Sequence, residues 1–266
     1  MRRNLTAMKQ KLSIIKIGGN IIEDQESLSQ FLNLFSKLKG QKVLVHGGGK
    51  RATEYGKKLG IETKMVDGRR ITDAQSLDVA VMIYAGLVNK NIVARLQAYN
   101  CNAIGLSGAD ANTIIAIKRP VKTIDYGFVG DVEVVNTKSI SQLINADLVP
   151  VFCALTHDGT GQLFNTNADT IASELAIAMS QIFDTTLYYC FEKKGVLRSI
   201  LDEHSVIKNI DQKSYQKLKQ QNIVAEGMLP KLDNCFHALN KDVQRVCIGD
   251  ISMLEPEAKL FTTITL

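Results

Sequence analysis

The sequence predicts an α/β fold in which a mainly parallel sheet is covered by helices on both faces. Three observations predict it. Short apolar runs alternate with amphipathic stretches from one end of the chain to the other. The amphipathic stretches keep helical spacing, whereas the apolar runs have the length of strands. No Pro/Gly/Ser-rich linker and no internal repeat breaks this alternation, so any boundary between two lobes is tight and falls near residue 180.

Residues 1–10 are polar and read as a lead-in without regular structure; residues 12–17 follow as a buried strand. Residues 24–39 form a helix with Leu28, Phe31, Leu32 and Phe35 on one face. Residues 43–46 are the second strand, followed by Gly47-Gly48-Gly49 and a helix to about residue 59. A long helix fits residues 73–100 on the spacing of Leu77, Ala80, Val81, Tyr84 and Val88. Residues 102–106 and 113–117 are strands, and 128–135 is part of a hairpin. The second half continues with strands at 148–153, 185–189 and 245–248, and helices at 168–179, 213–221 and 229–240.

The chain has 266 residues, 45% apolar and 22% charged, which suits one large domain or two closely packed lobes and argues against disorder or a membrane protein. Apolar runs such as 148–155 are far shorter than the roughly 20 residues of a membrane span. Arg2 and Arg3 are not followed by the apolar core of a secretory signal, so a cytoplasmic location is expected. The five cysteines (Cys101, Cys153, Cys190, Cys235 and Cys247) are scattered, without a CxxC pair or a His at zinc-ligand spacing. They read as small core residues in a reducing compartment, and no protein-borne metal site is expected. The net charge of +5 is spread along the chain, without the basic run or interleaved aromatics of a nucleic-acid footprint.

Two glycine clusters follow apolar strands: Gly18-Gly19 after residues 13–17, and Gly47-Gly48-Gly49 after 43–46. Glycines there let backbone N–H groups approach an anion, and the helix after the second cluster adds its dipole. A tight strand-to-helix turn without a ligand uses the same residues, but two clusters in neighbouring βα units favour binding. Gly47, Gly49 and Ala52 also fit the G-x-G-x-x-A dinucleotide fingerprint, with Asp67 twenty residues after Gly47. Asp67 sits in the cation-rich turn Val66-Asp67-Gly68-Arg69-Arg70, however, where a ribose-binding acid should end a clear strand. No G-x-x-x-x-G-K-[ST] occurs, so a nucleotide is held by something other than a P-loop.

Lys16 lies inside an apolar strand, immediately before the first glycine turn. It either reaches solvent at the strand end or is held by a partner, because a buried unpaired lysine is costly. Lys231 raises the same question beside Pro230, which suits the first turn of a helix. In Asn165-Thr166-Asn167-Ala168-Asp169, capping by Asn167 and a dipole-favoured Asp169 explain part of the pattern. A cap does not need two asparagines and an aspartate. Arg70 follows Arg69 in the cation-rich turn and can fork onto a carboxylate or lie free on the surface.

In this order the pieces resemble the amino acid kinase family, and within it the branch that phosphorylates N-acylglutamates. They are Ile15-Lys16-Ile17-Gly18-Gly19, Val45-His46-Gly47-Gly48-Gly49, Asp67-Gly68-Arg69-Arg70-Ile71-Thr72, Gly105-Leu106-Ser107-Gly108, Gly127-Phe128-Val129-Gly130, Asn165-Thr166-Asn167-Ala168-Asp169 and Glu226-Gly227-Met228-Leu229-Pro230-Lys231. The resemblance spans nearly the whole chain. It implies a three-layer αβα sandwich of the carbamate-kinase type. Residues 9–180 would form an N-terminal lobe for substrate binding and dimerisation, and 181–266 a C-terminal nucleotide lobe.

The same resemblance implies ATP with Mg²⁺ and transfer of a phosphoryl group to the γ-carboxylate of N-acetyl-L-glutamate, or of N-succinyl-L-glutamate, in arginine and ornithine biosynthesis. Lys16 and Lys231 would contact the transferring group, and Asp169 would hold both lysines. Gly48, Gly49, Arg70 and Asn165 would bind the amino-acid substrate, while Gly18, Gly19 and Gly195 would line the phosphate and nucleotide site. Such a carboxylate, with a reference pKa of about 4.3, is already ionised and needs no general base. The obstacle is bringing it up to polyanionic ATP, which two lysines, backbone N–H groups and Mg²⁺ can neutralise.

The sequence also departs from the family. Cys190-Phe191-Glu192-Lys193-Lys194-Gly195-Val196 has Glu192 where relatives usually carry an aspartate, which bears on the ribose and adenine contacts. Thr156 replaces a usual glycine, and Ala109 and Ala111 replace the residues usual after Ser107-Gly108. If these positions border the acyl pocket, it admits a group larger than acetyl. Arginine-sensitive relatives join dimers into hexamers through a long N-terminal helix. Only about a dozen residues precede the first strand here, too few for a helix stable alone, so an arginine-insensitive homodimer is expected. Competing readings are an aspartate, glutamate or nucleoside-monophosphate kinase of the same fold, a sensor that binds without turnover, and a dinucleotide oxidoreductase. A sensor would not need Lys16, Asp169 and Lys231 together.

Overall fold

The computed structural model describes residues 9–66, 69–199, 201–221, 223–224 and 228–266. Most of the expected lead-in, Asp67-Gly68 and Glu226-Gly227 lie outside the described residues. β1 (Lys11–Ile17) leads through a short helix, α1 (Gly19–Glu23), into α2 (Gln25–Lys37). β2 (Gln41–His46) and α3 (Gly49–Lys58) follow, then the strand pair β3 (Lys64–Val66) and β4 (Arg69–Ile71). α4 (Ala74–Ala80), a π-helical segment (Val81–Val88) and α5 (Asn89–Ala98) run on as a single 25-residue helix.

β5 (Ala103–Leu106), β6 (Ile114–Lys118), β7 (Gly130–Val135), α6 (Thr137–Asn145) and β8 (Val149–Phe152) come next. β9 (Leu155–His157) and β10 (Leu163–Asn165) precede α7 (Ala168–Ser180) and β11 (Asp184–Cys190). The chain closes with β12 (Asn209–Ile210), α8 (Gln212–Gln220), α9 (Leu229–Leu239), β13 (Arg245–Gly249) and β14 (Thr262–Ile264).

The main sheet has eight strands in the order β12-β14-β13-β11-β1-β2-β8-β5. Six of them, from β13 to β5, run parallel, while β14 pairs antiparallel with β13 and carries β12 with it. β1 is central, bonded to β11 along its whole length and to β2 on the other side. Successive side chains of a strand take opposite faces. Leu12 and Ile14 join the core formed with α7 and α9, whereas Ile15 and Ile17 join the core under α1, α2 and the long helix. This is the three-layer αβα sandwich.

The covering helices are positioned by their apolar stripes. On α2, Leu28, Phe31, Leu32 and Phe35 are buried as their spacing predicts, and the Phe31 and Phe35 rings stack with centroids 5.8 Å apart. Asp24 caps the helix by accepting from Ser27 N at 2.7 Å. The run Ala74–Ala98 has the length and apolar composition to cross a bilayer, which the short apolar runs of the sequence did not suggest. Leu77, Ile83, Tyr84, Val88, Ile92 and Leu96 are nevertheless buried against the sheet, so packing explains its composition.

A second, four-stranded sheet has the order β10-β9-β6-β7. Its β6–β7 pair is antiparallel, as the hairpin expectation required, with a register shift between Ile115 and Ala116. The sequence reading missed β3, β4, β9, β10, β12 and β14. Each is only two or three residues long, too short for alternation to register.

Candidate active site

Three parallel neighbours, β11, β1 and β2, end at the same edge of the sheet. The chain therefore leaves them as adjacent loops: Phe191 onward after β11, Gly18-Gly19 after β1, and Gly47-Gly48-Gly49 after β2. This carboxyl edge is where open α/β sheets bind ligands. Gly18 N–H donates to Cys190 O at 2.9 Å, which ties the first two loops together.

Lys16 follows Leu12 and Ile14 in the alternation, and so faces α7 and α9. Asp169 stands in the first turn of α7, where the Asn167 side chain accepts from Asp169 N at 2.7 Å and Thr170 N at 3.3 Å. Lys231 stands at the start of α9. The three meet: Lys16 Nζ lies 2.7 Å from Asp169 Oδ1 and Lys231 Nζ 2.9 Å from Asp169 Oδ2. Their side chains are 14, 21 and 19% exposed for Lys16, Asp169 and Lys231, so the trio is largely buried but open on one side. Burial pushes the Asp169 carboxyl up; the charges and hydrogen bonds of Lys16 and Lys231 outweigh it and hold the group at about 2. The carboxylate is thus ionised and held between two cations.

The expected substrate residues form a second cluster. Arg70 Nη2 donates to Gly49 O at 2.9 Å and to Thr53 Oγ1 at 2.7 Å, and Nη1 to Thr63 Oγ1 at 2.7 Å. The guanidinium is thereby fixed over the glycine loop. Gly48 has no room for a side chain, since a Cβ there would meet Tyr84 Cδ1 at 2.6 Å. Asn165, at the end of β10, donates to Thr72 Oγ1 at 3.0 Å, close along the chain to Arg70. Gly47 lies against Ala168, which brings this cluster beside the first turn of α7. Gly19 has open space about it. Gly195 is buried; a Cβ there would meet Thr262 Oγ1 at 2.6 Å and Val206 Cγ1 at 2.7 Å, so packing alone accounts for glycine at that position.

Sequence reasoning missed three features. His46 is fully buried at the end of β2, its Nδ1–H donating to Gly47 O at 2.7 Å while Nε2 accepts from Asn89 Nδ2 at 3.0 Å. Burial drives its pKa down to about 4, against the Gly47 hydrogen bond and with help from Lys90, so it is neutral and braces the glycine loop. Tyr84, in the π-helical segment, is the wall behind Gly48; such segments recur at functional sites. Asn20 donates to Glu192 and accepts from Lys50, which links all three loops. The motif context of His46 was the only signal available for any of them.

Among the departures from the family pattern, Thr156 is fully buried with its hydroxyl 2.7 Å from Thr166 Oγ1, while Ala109 and Ala111 are exposed. Among the described residues no cluster of three or more His, Cys, Asp or Glu side chains gathers as a metal site would. Both Asp169 oxygens face lysines.

Residues 11–250 match the amino acid kinase family. An acetylglutamate kinase of Bacteroides fragilis is 56% identical over 241 residues, covering 91% of this chain and 92% of that protein. One from Cytophaga hutchinsonii is 56% identical over 240 residues, covering 90% of this chain and 91% of that protein. In fold alone, carbamate kinase from Giardia lamblia superposes with a TM-score of 0.69 at 14% identity, covering 98% of this chain and 99% of that one. By the match along its length and by the identity to these relatives, the chain belongs to the amino acid kinase family.

Proposed function

We propose that this enzyme transfers the γ-phosphoryl group of ATP to the γ-carboxylate of N-acetyl-L-glutamate, giving an acyl phosphate in arginine biosynthesis. The acetylglutamate kinases at 56% identity support the substrate. The observation that carries the chemistry is a single carboxylate gripping two lysines from separate elements at the carboxyl edge of the sheet.

A substrate oxygen attacks the γ-phosphorus, the bond from that phosphorus to the β,γ-bridging oxygen breaks, and its electron pair leaves with ADP. Charge spreads over the three equatorial oxygens during transfer. Lys16 and Lys231 meet that charge, and Asp169 keeps them convergent when no anion is present. Gly18 holds the first loop against β11 through its N–H, backbone N–H groups of Gly19, Gly48 and Gly49 add fixed donors, Arg70 and Asn165 orient the amino acid, and Gly195 belongs to the nucleotide side. Mg²⁺, carried on the nucleotide phosphates, would supply the remaining charge neutralisation. Residues 9–180 serve the amino acid and 181–266 the nucleotide, in a cytoplasmic homodimer.

The test is ATP- and Mg²⁺-dependent hydroxylamine trapping with N-acetylglutamate, N-succinylglutamate, glutamate and aspartate in parallel. Hydroxamate from N-acetylglutamate is expected. Hydroxamate from N-succinylglutamate alone would keep the reaction and replace the acyl group. No hydroxamate from any of them, with folded protein that still binds ATP, would sink the proposal.

A further inference from the structure

The reaction explains Lys16, Asp169 and Lys231 but not the side chain beneath them. Tyr189 lies on β11 in register with Lys16 on β1, and so on the same face of the sheet. It is 1% exposed. Its hydroxyl donates to the backbone carbonyl of Asp169 at 3.1 Å, which fixes the first turn of α7. Its ring lies under Lys231, whose Nζ is 5.3 Å from the ring centroid, inside the roughly 6 Å reach of a cation–π contact. One buried side chain therefore touches two of the three elements that deliver the charged trio.

We infer that Tyr189 is a positioning residue, a platform that aims Lys231 at the transferring phosphoryl group. This rests on the phosphoryl-contact role of Lys231 given above. Asp169 holds Lys231 from one side only, through Oδ2, while its Oδ1 serves Lys16. A second carboxylate under Lys231 would cancel its charge and occupy its N–H donors. An aromatic face does neither. The ring quadrupole attracts the ammonium from below and leaves its charge and its remaining N–H bonds for the incoming oxygens. Leu187, two residues earlier on the same face, fills the core with an aliphatic side chain, so burial by itself does not call for a ring at 189.

The test changes the ring electrostatics without changing its shape. Tyr189→Phe removes the hydroxyl and its bond to Asp169 O, should lower kcat by up to about tenfold through that lost anchor, and is the reference for the series. Mono-, di- and trifluorophenylalanine placed at position 189 should then lower kcat stepwise, by about tenfold in all, because fluorine drains the face that holds the cation. KM for ATP and for the N-acylglutamate should stay within about twofold, and the thermal midpoint should hold across the series; a merely structural ring would not give a graded kcat. A flat kcat across the series overturns the platform. Repeating the series in a Lys231→Met background should abolish the gradient, and a gradient that persists there also overturns it. Lys231→Met with unchanged kcat would instead remove the underlying role of Lys231. The two failures are thus distinguishable.

Discussion

Asp169 and His46 both have pKa values below their ordinary ones, and both shifts have consequences in acid. Burial depresses His46 from 6.5 to about 4, so the unfolded chain binds a proton first as pH falls. Its contribution is intact above 6.5 and is lost between 6.5 and 4, an effect on the order of 3 kcal/mol. For Asp169, burial raises the pKa but the lysines lower it more, to about 2 against 3.8, so its contribution persists above 3.8 and fades as pH falls through 2. Thermal midpoints should therefore decline in two windows, and His46→Gln should flatten the upper one; an equal decline in the variant would show that His46 does not cause it. In catalysis, Lys16→Met and Lys231→Met should each lower kcat by about two to four powers of ten in steady-state assays. Lys16 was legible in the sequence because a charge inside an apolar strand asks for a partner. His46 and Tyr189 were not, because their partners Asn89 and Lys231 lie 43 residues away and on another element.

Elements decide how closely the loops approach. The π-helical segment carries Tyr84 into the space above Gly48, so Gly48→Ala forces either the loop or the ring to move. The variant should lose about 1–3 kcal/mol in denaturant unfolding and bind the N-acylglutamate more weakly. Adding Tyr84→Leu should restore part of both losses. If the double variant is as impaired as Gly48→Ala alone, the clash is not the cause. The Lys50–Asn20–Glu192 bridge is exposed, so its hydrogen bonds are screened and modest. Asn20→Ala should raise KM for ATP by about fivefold or less and leave kcat nearly unchanged; a hundredfold fall in kcat would place Asn20 on the reacting atoms. Helices of ten residues or more were readable from their 3.6-residue spacing, and long strands from their apolar runs. The π-helical hydrogen bonding was not, because that segment is apolar nearly all round and so has no spacing that tells i+5 from i+4 bonding.

At the scale of the whole molecule, the parallel order was legible because helices separate the strands, but the antiparallel β14 was not, as three residues carry no direction. Pairing across the sequence has a further consequence for the two expected lobes. β11 begins just beyond residue 180, yet it is bonded to β1 along its full length and to β13 on its other side. The core under α7 and α9 likewise mixes Leu12, Ile14 and Val45 with Leu187, Val246 and Ile248. A chain cut after residue 180 would leave β1 with an open edge and half of that core exposed to water. Residues 9–180 alone should therefore lack the near-ultraviolet dichroism of packed aromatics. The intact chain should unfold in calorimetry as one transition, with no separate melting of the two halves. A nucleotide, which binds only the folded protein, should then raise that single midpoint as a unit. Two transitions, with the nucleotide moving only one, would mean that the shared sheet does not couple the substrate side to the nucleotide side.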